Sequence, residues 1–425
     1  MVRHEEVSFL RANFSFPEPF SLRKRVLEWV ETMRVKDGPY GRYKMSPSTR
    51  PYLLSSCYAA FVRELHGDLG NLNVQQRKEW IDYINGCQDK GTGLFCDPEM
   101  QPGHVKNHSW EYLSFQSTTF CLSALSALQD ANKYPLHYDG RWYDPFAIVQ
   151  WLKERDWSNA WMETNTVMFL GILLIREFTQ HQTIKAKKVL EKMLQWLDQF
   201  QDPCTGYWGT REGASLLNGM AGAYHLYLLY YYLDRPLRYL DKIINSTLSL
   251  QQEDGLFSPR GGGGACEDID AIDTLVNAYQ RTTYRRTDIV RALMRALPPL
   301  LVSQNEDGGF VYARRRRFHL KEWVRLFTFM KEDHWTFKWR FRLMGAVLKD
   351  QFTPGRGLRV TEWPRIAVPV RESDMLGTWF RSLAIAEISQ ILPELPYASL
   401  KWTFRDSPGL GWFQLIKRYD LIGSK

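Results

Sequence analysis

Four acids fall within seven residues at Glu267, Asp268, Asp270 and Asp273. They follow the glycines Gly261 to Gly264 and open an apolar helical run that reaches Tyr279. At helical spacing Asp270 and Asp273 share a face, as do Glu267 and Asp270. Carboxylates this crowded do not all ionise cheaply, so the pattern predicts at least one that stays protonated near neutral pH and donates a proton. The competing reading is that acids in a first helical turn complement the helix dipole, contributing about 0.3–1 kcal/mol each. A second candidate lies at Asn107-His108-Ser109-Trp110-Glu111. Glu111 has a proton to give and His108 titrates, whereas the amide of Asn107 does not. Either Asn107 or Ser109 reads as an N-cap, or Asn107 is an amide standing in the place of an aspartate.

The elements that must position these residues come from an internal repeat. Gln88 to Phe95 and Gln201 to Trp208 share one spacing, Gln to Gly at five and Gln to aromatic at seven. Gln251 to Phe257 and Gln304 to Phe310 are the same turn one residue shorter. Gln150 and Trp157 keep the Gln-to-aromatic step without the Gly, and Asp37 to Tyr43 is a degenerate copy. Successive Gln positions are about 50 to 60 residues apart, one helical hairpin per repeat. After each turn comes an apolar run, beginning near Pro51, His108, Ser158, Ser215, Cys266 and Ser373. The segments between, such as 184–200 and 287–301, mix charges with periodic Leu and Val as water-facing helices do. Hairpins that cannot bury themselves singly must stack, and six close into a ring. The expected fold is all-α, an (α/α)6 barrel over residues 1–425. Its inner helices surround a cavity, with their N-terminal ends at one mouth.

Composition agrees with an aromatic-walled chamber: 14% of the chain is Phe, Trp or Tyr, including 16 Trp. The inner runs carry Trp110, Tyr112, Phe115, Trp161, Phe169, Tyr224, Trp379 and Phe380. Their ring faces either stabilise cations, by about 0.5–2 kcal/mol each, or pack between helix layers. Six Cys without a CxxC pair read as free thiols in a reducing compartment. The acidic N-terminus and the lack of a long apolar stretch lead to the expectation of a soluble, cytoplasmic protein.

Residues 311–371 break the rhythm before the last inner run. They hold 15 Lys and Arg against 5 acids, +10 in a chain whose net charge is +8. Trp323, Phe327, Phe329 and Trp335 interleave with that charge. The insertion reads as a solvated face, an interfacial helix giving peripheral contact with anionic lipid, or a lid. As a lid it would hold an anionic headgroup through Arg314 to Arg317, Arg325, Arg371 or Arg381. No nucleic-acid-reading module is visible.

The Gln-Gly-aromatic turns resemble the QW-type motifs of the terpene cyclase and prenyltransferase superfamily, over roughly Glu28 to Leu392. Asp268-Ile269-Asp270-Ala271 resembles the acidic DxDD box of class II cyclases such as squalene-hopene cyclase, with Ala271 in place of the last Asp. The resemblance implies an α-toroid and a Brønsted-acid-initiated cyclisation. It gives Asp270 the donor position, with Asp268 and Asp273 beside it. The DDxxD run of class I synthases is missing, and Cys266 lacks the Cys-x-His partner of a prenyltransferase zinc site. The expectation is therefore no metal and no cofactor. The implied function is a class II-type terpene cyclase, an intramolecular lyase or isomerase, of the single-domain meroterpenoid type. The implied partner is a lipophilic small molecule, a prenylated aromatic acid or polyprenyl compound, contacted by Trp110, Phe115, Trp161, Tyr224, Trp379, Phe380, Arg381 and Arg317. The alternatives are a cyclase of a prenyl diphosphate, a polysaccharide-active (α/α)6 enzyme with Asp and Glu as acid and base, and a non-catalytic lipid-binding toroid.

Overall fold

The computed structural model describes residues 14–98, 100, 109–137, 140–315, 317–331, 335–353, 358–359 and 367–416. Among the described residues the inner helices are α2 (Leu53–Leu65), α4 (Trp110–Ala127), α6 (Ala160–His181), α8 (Leu216–Tyr232), α10 (Ala265–Arg281) and α14 (Met375–Ile391). The outer helices are α1 (Pro19–Thr32), α3 (Val74–Asn85), α5 (Pro145–Lys153), α7 (Ile184–Phe200), α9 (Leu240–Ser249) and α11 (Arg286–Val302). Each inner helix packs on the next, α2 on α4 and so on to α10 on α14, and α14 packs back on α2, so the ring closes. The fold is the all-α toroid that the repeat predicts.

Sequence decides which layer a helix joins. In α8 nearly every residue from Leu216 to Tyr231 is buried, as an all-apolar helix must be. In α7 the buried set Ala186, Val189, Leu190, Met193, Leu194 and Leu197 forms one stripe, and Lys and Glu face outward. Ser109 is the N-cap of α4, its hydroxyl accepting from the Tyr112 N–H at 3.1 Å.

The turn glutamines act as clasps. The side-chain amide of Gln201 donates to the carbonyls of Gly206 (2.8 Å) and Arg238 (3.3 Å). That of Gln251 donates to Gly255 (2.8 Å) and to Ala292 in α11 (2.7 Å). Gln88 joins Gly93 and Tyr134 in the same way. Gln304 reaches Gly308 (2.9 Å) and Leu22 in α1 (3.5 Å), so the last turn grips the first outer helix. The glycine of each turn has φ between 74° and 99° and lies so close to the following outer segment that a side chain would collide, at Gly308 with the Arg25 carbonyl. Gln150 does not belong to this set. It sits exposed in α5, bonded to Glu154 one helical turn on, and only Trp157 keeps its place, its indole donating to the Leu152 carbonyl at 2.8 Å.

Two further segments lie across the ends of the ring. Residues 400–416 run under the C-terminal ends: the Thr403 N–H donates to the Leu65 carbonyl (3.0 Å), Trp412 packs edge-on against Tyr232 (5.5 Å), and the Ile416 N–H donates to Gln280 (2.8 Å). The insertion forms α12 (Leu320–Lys331), α13 (Phe337–Phe352) and an antiparallel pairing of β1 (Leu358–Arg359) with β2 (Ala367–Val368). It sits at the opposite end. The Trp339 indole donates to the Ser158 carbonyl just before α6 (3.1 Å), and Asp350 pairs with Arg260 before α10 (2.7 Å). None of the described helices is long and apolar enough to cross a membrane.

Candidate active site

Helix α10 carries its acids on two faces. Asp268 points into the packing between turn and helix. One of its carboxylate oxygens accepts from the Phe257 N–H (2.8 Å), and the other from the Gly264 N–H (3.0 Å) and Arg381 Nη1 (2.5 Å). Arg381 also donates to the Tyr312 carbonyl at 2.9 Å and has no exposed surface. Burial pushes the Asp268 carboxyl up, opposed by Arg381 and the Phe257 N–H. A guanidinium buried beside it requires a counter-charge, so the pair is ionic. The Phe257 contact has counterparts elsewhere in the ring. The Phe95 N–H donates to the Thr118 hydroxyl, and the Phe310 N–H to the Thr378 hydroxyl, both at 2.9 Å. Asp268 thus does for its turn what a threonine does for two others.

The loop before α10 explains this placement. Gly261, Gly262 and Gly263 all have φ near +70°, a left-handed turn open to glycine. A side chain at Gly262 would collide with the Arg314 carbonyl, and the Arg314 N–H donates to the Gly262 carbonyl at 3.0 Å. Arg315 donates to the carbonyls of Gly261 (3.1 Å) and Gly263. Arg314 and Arg315 therefore staple this loop; Arg314 also bonds the Val302 carbonyl at the end of α11, and Arg325 pairs with Glu253 in the preceding turn. Arg317 is exposed.

The second face of α10 is a stripe of Cys266, Asp270, Asp273 and Asn277, at helical steps of four, three and four. Tyr58 on α2, which is not a ring neighbour of α10, lies within electrostatic reach of Cys266, so the stripe faces the lumen. Asp270 is 2% exposed, and its Oδ2 is buried without a hydrogen-bond partner. Burial, then the nearby Glu267, Asp273 and Asp268, push its carboxyl well above the ordinary range. Among the described residues no cation opposes that shift. Asp273 is pushed up to about 7 by burial, against Arg281 and a hydrogen bond from Asn277. Asn277 Nδ2 donates to Asp273 Oδ2 at 2.6 Å and its carbonyl oxygen accepts from Arg281 at 2.8 Å, while Arg281 lies over the Tyr231 ring at 3.9 Å. The stripe thus grades from an acid with no counter-charge to one tied to a cation.

A further acid joins them from α14. Glu387 is 1% exposed, has an unpartnered Oε2, and is raised well above the ordinary range by burial and then by Asp273. Sequence reasoning missed it. The visible signal was a lone acid in the uncharged stretch from Ser382 to Leu392, but nothing in the sequence named its partner. Tyr224 on α8, a predicted site residue, is in electrostatic contact with Asp270, Asp273 and Glu387. A neutral carboxyl in an apolar wall, with other carboxyls able to share protons, is an arrangement that gives up a proton without holding a charge at rest.

Aromatic rings of the inner helices α2, α4 and α14 form one buried cluster. Trp379 stacks on Tyr58 (5.5 Å) and meets Phe61 (4.7 Å), Phe380 (4.6 Å) and Phe120 (6.3 Å). Phe120 in turn meets Phe169 at 5.9 Å. Phe115 lies elsewhere, edge-on against Trp142, which packs on Trp151 of the outer layer. Trp110 is 36% exposed at the head of α4, and Trp161 is half-buried at the head of α6 with its backbone N–H donating to Asn218 Oδ1 (3.2 Å). Glu111 has Glu163 of α6 as an electrostatic neighbour. Asn107 and His108 lie outside the described residues.

Among the described residues no group of three His, Cys, Asp or Glu converges as a metal site. A comparison with curated proteins finds no match. Among solved structures, a polysaccharide lyase matches with a TM-score of 0.45 and 12% identity, over 89% of this chain and 99% of that one. The profile of the prenyltransferase alpha-alpha toroid domain matches residues 15–96, 42–166 and 152–317. These matches, with the closed ring of helical hairpins, place the chain in the prenyltransferase alpha-alpha toroid family.

Proposed function

We propose that this chain is a class II-type terpene cyclase, converting a polyprenyl compound or prenylated aromatic acid into fused rings. Asp270 carries the reading: a buried carboxyl with an unpartnered oxygen, acidic neighbours and no cation of its own. As a neutral acid it gives its proton to a terminal alkene carbon or epoxide oxygen, and the π electrons or the C–O bond yield to leave a carbocation. The next alkene of the chain attacks that cation, ring by ring. Faces of Trp379, Phe380, Tyr58 and Phe120 offer about 0.5–2 kcal/mol each to a passing cation. Loss of a proton to a base ends the cascade, and Asp273, an electrostatic neighbour of both Asp270 and Glu387, is the group through which a proton would return to Asp270. Buried carboxyls among aromatic rings favour an apolar substrate over a sugar, whose hydroxyls need an open polar groove.

Incubation with a farnesylated dihydroxybenzoic acid and with squalene tests the proposal. The wild type should convert at least one into a cyclic isomer of unchanged mass, and Asp270→Asn should not. Equal turnover by Asp270→Asn would remove this acid from the mechanism.

A further inference from the structure

We propose that α12 and α13 dock this chain peripherally on an anionic lipid surface. Each helix has two apolar faces, and only one is used. Leu326 and Met330 of α12 and Leu343 and Val347 of α13 bury together with Trp335 in a small cluster against Leu217 of the ring. The other face stays in solvent. On α12 it is Leu320, Val324 and Phe327, at steps of four and three. On α13 it is Phe337, Phe341, Leu348 and Phe352, with Gly345 at the missing step and open space around it. Helical periodicity makes each set a continuous stripe.

Such stripes are out of character with the rest of the surface. Leu320, Phe337, Phe341 and Phe352 are each 74–84% exposed, whereas exposed apolar residues on the ring helices, such as Phe20, Val74 and Phe146, stand singly on different elements. Charge selects the occupant. Exposed Arg317, Lys321, Lys331, Lys338, Arg342 and Lys349 flank the stripes. Among described residues 317–353 the acids are Glu322 and Asp350, and Asp350 is taken by Arg260 and Arg315. Large apolar side chains rimmed by cations suit the headgroup boundary of an anionic bilayer, where rings enter the acyl region and ammonium groups meet phosphates. The inference stands on this surface alone, and its test needs no turnover.

The test is co-sedimentation of the full chain with vesicles of phosphatidylglycerol mixed into phosphatidylcholine, and with phosphatidylcholine alone. The wild type should pellet with the anionic vesicles, remain largely in solution with the neutral ones, and be released by salt. The Phe337→Ser/Phe341→Ser double variant should bind about tenfold or more weakly. Lys331→Gln/Lys349→Gln should lose the preference for anionic lipid while melting as the wild type does. A chain that stays in solution with anionic vesicles overturns the proposal, as does a double Phe variant that pellets like the wild type. A dimer dissolved by the Phe substitutions, without vesicle binding, assigns the stripes to a second copy and overturns it as well.

Discussion

The two faces of α10 carry the same residue type two positions apart, and their surroundings give it opposite work. Asp268 meets two N–H groups and a guanidinium, so its charge is stabilised in place and its loss would release Phe257, Gly264 and Arg381 together. Asp270 is buried among carboxyls with one oxygen unpartnered, which favours its protonated form. Burial alone does not distinguish them. Partners do: the turn and α14 supply those of Asp268, whereas the charged neighbours of Asp270 are the acids of its own helix.

The largest expected effect separates the faces by chemistry. Asp270→Asn keeps volume and removes the proton, so turnover should fall by about 10²- to 10⁴-fold while the melting temperature holds or rises. A destabilised, still active Asp270→Asn would erase the distinction. On the other face, Arg381→Met strands a buried carboxylate and should cost about 3–5 kcal/mol in denaturant unfolding, with kcat per folded molecule largely kept. A mild stability loss with abolished turnover would move Arg381 into the chemistry.

The lumen face should also titrate. Asp273 on that face is pushed up to about 7 by burial, and so is Asp374, which caps α14 by accepting from the Gly377 N–H; both stand above the roughly 3.9 of an unfolded Asp. The folded state therefore binds more protons than the unfolded state between these values. Their contribution is most favourable below about pH 4, is lost as pH rises towards about 7, and is flat above it. Unfolding free energies against pH should show that fall for the wild type and a shallower one for Asp273→Asn. An identical slope would mean that Asp273 titrates normally. The smallest effect probes the counterpart of Asp268: Thr118→Val leaves the Phe95 N–H unpaired and should cost about 1–3 kcal/mol without changing turnover.

How much of this was legible in the sequence depends on whether the partner was local. The turns were, because a glycine in the left-handed region and a buried aromatic leave a spacing that survives in one dimension; six hairpins and the starts of the inner helices, to within about two residues, followed. Gln150 shows the limit, since a matching step without the glycine proved to be an exposed helical position. The acids of α10 were visible as a cluster, but which one is held by Arg381 was not, because 113 residues separate that pair. Glu387 went unread for the same reason. The basic run promised anion binding, yet Arg314 and Arg315 bond the carbonyls of a glycine loop that no charge pattern reveals.

The central claim is that Asp270 is a neutral acid inside the ring while Asp268 is ionised. Infrared difference spectroscopy of the protonated-carboxyl C=O stretch near neutral pH tests it directly. The wild-type spectrum should contain a protonated-carboxyl component that disappears in Asp270→Asn and is unchanged in a stability-compensated Asp268→Asn. A spectrum with no such component, or one that survives in Asp270→Asn and vanishes in Asp268→Asn, would contradict the assignment of the two faces.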